Sequence, residues 1–193
     1  MAKFNKKITD TEIRIGEVRF SFPHVFEAYA ANEGDEKKFS LMLIIPKKNK
    51  EAVKLIQDAI EAAKAAGKSK WGGKTPANLK TPLRDGDEER PDDPSVEGCY
   101  FMNANAKRKP GVRVLENGKV NPPLDESDNG EDMYPGAWGA VTINMFAYDA
   151  RGNKGVAAGL NNVIKTRDDE RLDGGRTADQ DFEDLDDFDS DLD

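Results

Sequence analysis

The chain has 193 residues, of which 37% are hydrophobic and 34% charged, a balance that fits one folded domain with polar appendages and excludes a wholly disordered polymer. No segment approaches the roughly 18 to 20 apolar residues of a membrane span, and a single histidine (His24) and a single cysteine (Cys99) exclude a disulfide framework or a Cys/His zinc site within one chain. The net charge of -8 speaks against a polyanionic partner only until its location is read: nine of the 37 acidic side chains lie between Ala178 and Asp193, and without them 28 acids face 29 bases.

Residues 1–10 contain no apolar stretch of signal-peptide length and are expected to be a flexible lead-in to an intracellular, soluble protein. In TEIRIGEVRFSF, residues 11–22, Ile13 and Ile15 share one face, and after Gly16 the residues Val18, Phe20 and Phe22 take the opposite phase. A glycine at a phase change predicts a bulged or sharply bent strand, the device by which small barrels turn corners. KKFSLMLIIP, residues 37–46, is apolar at nearly every position from Phe39 to Ile45 and reads as a strand covered on both faces. Val53, Ile56, Ile60 and Ala63 recur at helical spacing in residues 49–66, with Gly67 as a stop, so a helix is predicted there, able to cover the preceding strand.

From Ser69 to Pro94 periodicity is lost among Gly, Pro and charge. Trp71 and Lys74 lie in its Lys-rich first part, which would suit a loop closing over a bound ligand, although the acidic run that follows weakens the electrostatic case. Strand character returns in residues 98–108 and 112–115, Asn117-Gly118 offers a hairpin turn, and residues 135–149 and 156–166 supply two more strands around the turn ARGNKG. Strands at both ends, one internal helix and no strand-helix alternation predict a mainly β fold, a small and partly open barrel.

Two strand faces carry candidate chemistry. One presents Phe101, Asn103, Asn105 and Lys107, followed by Arg108, Lys109 and, in the next strand, Arg113; the other presents Trp138, Thr142, Asn144, Phe146 and Tyr148. Rings spaced among amides with a basic margin suit single-stranded nucleic acid, whose bases stack on aromatics while Lys and Arg follow the phosphates. The same rings would equally serve as a second core layer. Other signals fail on spacing. GKSKWGGKT lacks the order of a phosphate-binding loop and follows a helix; DESDNG opens like a calcium loop but places Gly136 where the bidentate Glu should stand; His24 has no catalytic companion, and Cys99 reads as a small hydrophobe. Neither a catalytic residue, a metal site nor a cofactor is expected.

IRIGEVRFSFPHVFEA near the start, and YPGAWGAV, FAYD and KGVAAGLNNVIKTRDDERLDGG near the end, resemble a family of bacteriophage single-stranded DNA-binding proteins with an OB-fold. The resemblance covers most of residues 12–175. It implies a five-stranded OB barrel over residues 11–167, an acidic disordered tail over 168–193, and a non-enzymatic protein that coats single strands without strong sequence preference during phage replication or recombination. It further implies work in the cytoplasm of an infected or lysogenic bacterium, leaving a homo-oligomer open. The tail would compete with DNA and recruit phage or host replication proteins through Phe182, Asp184, Asp187, Phe188, Leu192 and Asp193; its ending in Leu-Asp departs from the aromatic ends common to such tails. The rival expectation, favoured by the net charge, is an acidic adaptor or DNA mimic that binds proteins; a small metal-dependent nuclease would need assembled carboxylates, which the sequence does not offer.

Overall fold

A computed structural model describes residues 4–174. Its elements in chain order are β1 (Lys6–Lys7), β2 (Glu12–Tyr29), β3 (Lys38–Pro46), α1 (Lys50–Gly67), β4 (Arg84–Asp85), α2 (Gly86–Glu89), β5 (Cys99–Ala106), β6 (Gly111–Glu116), β7 (Lys119–Val120), β8 (Trp138–Ala150) and β9 (Asn153–Arg167). Five strands close a barrel in the order β2-β3-β5-β9-β8, with β8 returning to β2; every pairing is antiparallel except β5 with β9. That order, with one parallel closure, is the OB-fold. Where the sequence predicts a partly open barrel, the ring is closed, although β5 and β9 meet only at Ala104–Ala158 and Asn105–Gly159.

Closure depends on β2. Its first half pairs with β8 and its second with β3, so the strand must bend between them. The predicted bulge is present: register shifts between Ile15 and Val18, and Glu17 takes φ 53°. The polar groups that a bulge frees are satisfied, the Gly16 amide donating to Asn5 Oδ1 (2.9 Å) and its carbonyl accepting from Asn49 Nδ2 (2.9 Å). Phe4 sits so close to Gly16 that a Cβ there would lie 2.1 Å from the Phe4 Cβ. Residues 4–10 are thus held against the sheet, with β1 paired to β2, instead of forming the predicted flexible lead-in.

Inside the barrel, Ile13, Ile15, Val18, Phe20, Leu41, Leu43, Met102, Ala104, Ile143 and Met145 are buried in one core. Helix α1 adds Val53, Ile56, Ile60 and Ala63, the predicted face, but packs mainly on β8 and β2, not on the preceding strand. A smaller cluster outside the barrel joins Met42, Ile44, Val96 and Phe101, because the predicted irregular stretch folds over β5 through β4, α2 and a 3-10 turn at Pro94–Val96. The hairpin turn falls at Asn117-Gly118, both with positive φ, as Asn-Gly requires. Among the described residues, no helix is long and apolar enough to cross a membrane.

Asn49 joins two of these features, since its Oδ1 accepts from the Ala52 amide as the α1 N-cap while its Nδ2 holds the bulge carbonyl. Asn49→Ala is expected to lower stability by about 1–2 kcal/mol, and Asn49→Asp, which keeps the cap alone, by less. Urea denaturation measures both, and an alanine variant as stable as the parent would disprove this coupling.

Candidate nucleic-acid interface

In OB barrels the outer face of the second and third strands, with the loops joining strands one to two and four to five, is where oligonucleotides or oligosaccharides bind. Here those strands are β3 and β5, and the first of the loops is residues 30–37. A groove of about 580 Å³ lies on that face, lined by Phe22, His24, Tyr29, Ser40, Met42, Asn103, Asn105 and Arg90, with Lys38 and Glu36 at its rim. It exists because β2 breaks register a second time, between Ser21 and His24.

At this second break Phe22 takes φ 45°, a conformation costly for a bulky side chain, and its ring is 64% exposed. The sequence places Phe22 in phase with Val18 and Phe20, inside the barrel; the break turns it out. Beyond it the His24 and Tyr29 rings stack, centroids 4.3 Å apart and planes within 9°, with Tyr29 53% exposed. Across the groove the amides of Asn103 and Asn105 are exposed and make no side-chain hydrogen bond among the described residues. Rings on one wall and uncommitted amides on the other can stack and hydrogen-bond a flat heterocycle.

The other predicted site residues scatter. Phe101 is fully buried, roofed by the guanidinium groups of Arg84 and Arg90 at 4.9 and 4.5 Å from its centroid, so it packs with Met42 and Ile44 instead of stacking a ligand. Trp71 is buried too, its indole donating to the Tyr148 carbonyl (3.1 Å) where a 3-10 turn after α1 lays it on β8. It is a core residue, not part of a closing loop; Lys74 stands exposed on the segment leading to Lys80, which bridges to Gly155. Tyr148 is half-buried against Gly155, and Phe146 remains 44% exposed on the outer face of β8. Lys107 pairs with Glu36 at the groove rim (2.9 Å) and Lys109 with Glu126, while Arg113 donates to the Asn121 carbonyl (3.1 Å). Arg108 and Lys109 line a separate hollow with Glu12, Asn161 and Asn162. Phe22, His24, Tyr29 and Arg90 escape the sequence reading; Pro23 inside a strand was the available sign of the second bulge.

Trp138 has a different use. Its ring lies between Arg19 (5.8 Å) and Arg167 (4.2 Å), and its indole donates to Asp169 (2.7 Å). Tyr134 is flanked by Lys165 and Arg171 and donates to Asp168 (2.8 Å), while buried Lys165 reaches Asp132 (2.7 Å) and Asp168 (2.6 Å). Burial alone would push the Lys165 ammonium down, but its two carboxylates raise it above its ordinary value. The Leu172 amide donates to the Pro135 carbonyl (2.8 Å), and its side chain packs on the Met42–Ile44–Phe101 cluster. Residues 168–172, predicted as the start of the tail, therefore form a strap on the body that ends beside the groove floor. The predicted partner-binding residues Phe182, Asp184, Asp187, Phe188, Leu192 and Asp193 lie outside the described residues.

The sequence model of the Enterobacter phage Enc34 ssDNA-binding protein family matches residues 11–192. The chain belongs to this family. The resemblance visible in the two ends of the sequence is thereby borne out. Putative protein p50 of Acyrthosiphon pisum secondary endosymbiont phage 1 is 28% identical over 184 residues, spanning 90% of this chain and 94% of that relative. The Enc34 family's namesake, the single-stranded DNA-binding protein from bacteriophage Enc34 solved in complex with ssDNA, superposes with TM-score 0.74 at 26% identity over 89% of this chain and 99% of its own. A C-terminal truncation of the Enc34 protein gives 0.71 at 28% identity, over 86% and 95%. The gp2.5 protein encoded by bacteriophage T7 shares the fold, with TM-score 0.53 at 15% identity over 93% and 94%.

The strap is acid-sensitive by construction. Burial raises the Asp168 carboxyl, but Lys165 and Tyr134 hold it below its ordinary value; the Glu170 amide, against some burial, and then Trp138 do the same for Asp169. Because both are lowered in the folded state, their contribution is complete above the ordinary carboxylate range and is lost as pH falls through the lowered values, below about 4. Hydrogen exchange at the Leu172 amide, corrected for intrinsic rate, should stay protected from pH 7 to about 5 and lose protection below about 4. Protection unchanged into acid would show that the strap does not depend on these carboxylates.

Proposed function

We propose that the protein binds single-stranded DNA across the outer face of β3 and β5, with little sequence preference, as a non-catalytic coat in phage replication or recombination within an infected or lysogenic bacterium. One observation carries this reading: exposed Phe22 and Tyr29 and the uncommitted amides of Asn103 and Asn105 face a single groove on a chain of this family. Rings stack any base, at about 1–3 kcal/mol each, while two amides and the Ser40 hydroxyl are too few to read a sequence of base edges. Lys37, Lys38, Arg90 and Lys107 stand where phosphates would run. The Enc34 protein's solution in complex with ssDNA supports the same assignment.

The acidic C-terminal residues belong to the same reading. The strap brings Leu172 onto the cluster that contains the groove residue Met42, and in the sequence the nine carboxylates of residues 178–193 follow shortly after it. The tail competes with DNA at low salt and, once displaced, offers Phe182, Phe188 and Leu192 to replication proteins of phage or host.

Fluorescence anisotropy of a labelled oligo-dT of about 30 nucleotides, longer than the site of one OB-fold, tests both parts across a salt series. A protein ending at Thr177 should bind more tightly than the full chain, most of all at low salt, and Tyr29→Ala should weaken binding by about 5- to 100-fold, the equivalent of one stacked base. Failure of both the full chain and the truncated protein to bind would overturn the single-strand reading in favour of an acidic adaptor.

A further inference from the structure

The groove does not end at β5. Register carries one level of outward-facing residues around the barrel, from His24 to Ser40, from Ser40 to Asn105, from Asn105 to Gly159, and from Gly159 to Asn144. The step from Asn105 to Gly159 is the narrow seam where β5 and β9 close the ring. Resting on the single-strand reading above, we infer that a bound strand crosses this seam over Gly159 and reaches a second stacking site on Phe146, with Arg108 taking a phosphate on the opposite flank.

Gly159 is the first reason. Gly139, Gly155 and Gly111 are glycines because an added Cβ would meet the Ile164 carbonyl at 2.1 Å, the Lys80 carbonyl at 2.6 Å or the Asn162 amide oxygen at 2.7 Å. At Gly159 the backbone is not left-handed, and a Cβ would have only ordinary contacts, 3.5 Å from the Asn144 carbonyl and 3.6 Å from the Phe146 ring. Neither backbone nor packing calls for glycine there, and a glycine inside a strand weakens it. What it does provide is a low surface beside an aromatic ring, in line with the groove.

Phe146 is the second, independent reason. Of the outward rings on β8, Trp138 is held between two arginines and Tyr148 lies on Gly155, whereas Phe146 faces Ala157 across the strand pair and leaves 44% of its surface in water. One exposed phenyl is ordinary; one that lies against Gly159, the register partner of the groove residue Asn105, continues the line of the groove. The opposite flank is basic: Lys107 and Arg108 follow β5, Arg108 shares a hollow with Asn161 two residues beyond Gly159, and it has no ion pair among the described residues. Ring, bare backbone and guanidinium in that order suit base, sugar and phosphate of one nucleotide.

The test compares full-length protein with its Phe146→Ala and Gly159→Leu variants on dT of about 5 and about 20 nucleotides, lengths that bracket much of the range an OB-fold covers. The readout is the ratio of the two affinities. Both variants should weaken binding of the longer strand by about 5- to 100-fold and leave the shorter within about twofold of the parent, whereas Tyr29→Ala should weaken both. Gly159→Ala, whose Cβ fits, reports on the fold, and its melting temperature should match the parent's. Parent-like binding of the longer strand by either variant, or equal losses at both lengths, would overturn the crossing. Failure of the parent protein to bind either length would instead count against the single-strand reading itself.

Discussion

The bending of β2 is the constraint on which the rest of this structure depends. An 18-residue strand cannot pair with β8 at one end and β3 at the other while staying straight, and a five-stranded barrel cannot close without such a shared strand. Of three irregularities in β2, the first two make the turn, one at Gly16–Glu17 and one around Phe22–Pro23, and a third follows between His24 and Tyr29. The first is fully satisfied: Asn5 and Asn49 take its loose amide and carbonyl, and Asn49 ties the bend to the start of α1. The second is left under strain, with a phenylalanine at positive φ, and its product is an exposed ring at the mouth of the groove. One bend builds the scaffold and the other builds the site.

Aromatic residues divide along the same line. Trp71, Phe101, Tyr134 and Trp138 all have partners that use them up: an indole held by a carbonyl, a ring roofed by two arginines, rings pressed between cations that also hold the strap. Cation–π contacts at partly exposed sites are worth about 0.5–1 kcal/mol each, so stripping Arg19 and Arg167 from Trp138 to admit a base would gain little over what it lost. Among the described residues, Phe22, Tyr29 and Phe146 carry no such partners beyond the His24 stack, so a base that stacks on them breaks no cation–π contact.

This division explains what could be read from the sequence. Alternation and helical spacing located the main strands and α1, because those patterns record which face is buried, and Gly16 marked the first bulge. The outward faces of β5 and β8 were also legible, so Asn103, Asn105 and Phe146 stand where expected. What periodicity cannot convey is which outward side chain another segment covers. The stretch from Ser69 to Pro94 shows no pattern, yet it folds Arg84 and Arg90 onto Phe101 and lays Trp71 on β8. The strap likewise reads as plain acidic chain until Tyr134 and Trp138 are seen beneath it. His24 looked idle because its stacking partner lies five residues away across a bend that alternation does not register.

On the proposed reading, the rim cations explain how an acidic protein can present a phosphate path. Lys107 holds Glu36, Lys109 holds Glu126, Arg84 holds Glu89 and Arg90 approaches Asp93, all with substantially exposed side chains. Exposed pairs of this kind are worth about 0–1 kcal/mol, so a phosphate that replaces the carboxylate pays little for it. The pairs keep the cations positioned while the groove is empty. On the same reading, the acidic residues 178–193 offer the same kind of anion, covalently tethered to the body. On that reading, competition between tail and strand follows from tethering: a local carboxylate concentration set by chain length outweighs dilute DNA, but not a long strand that presents many phosphates at once.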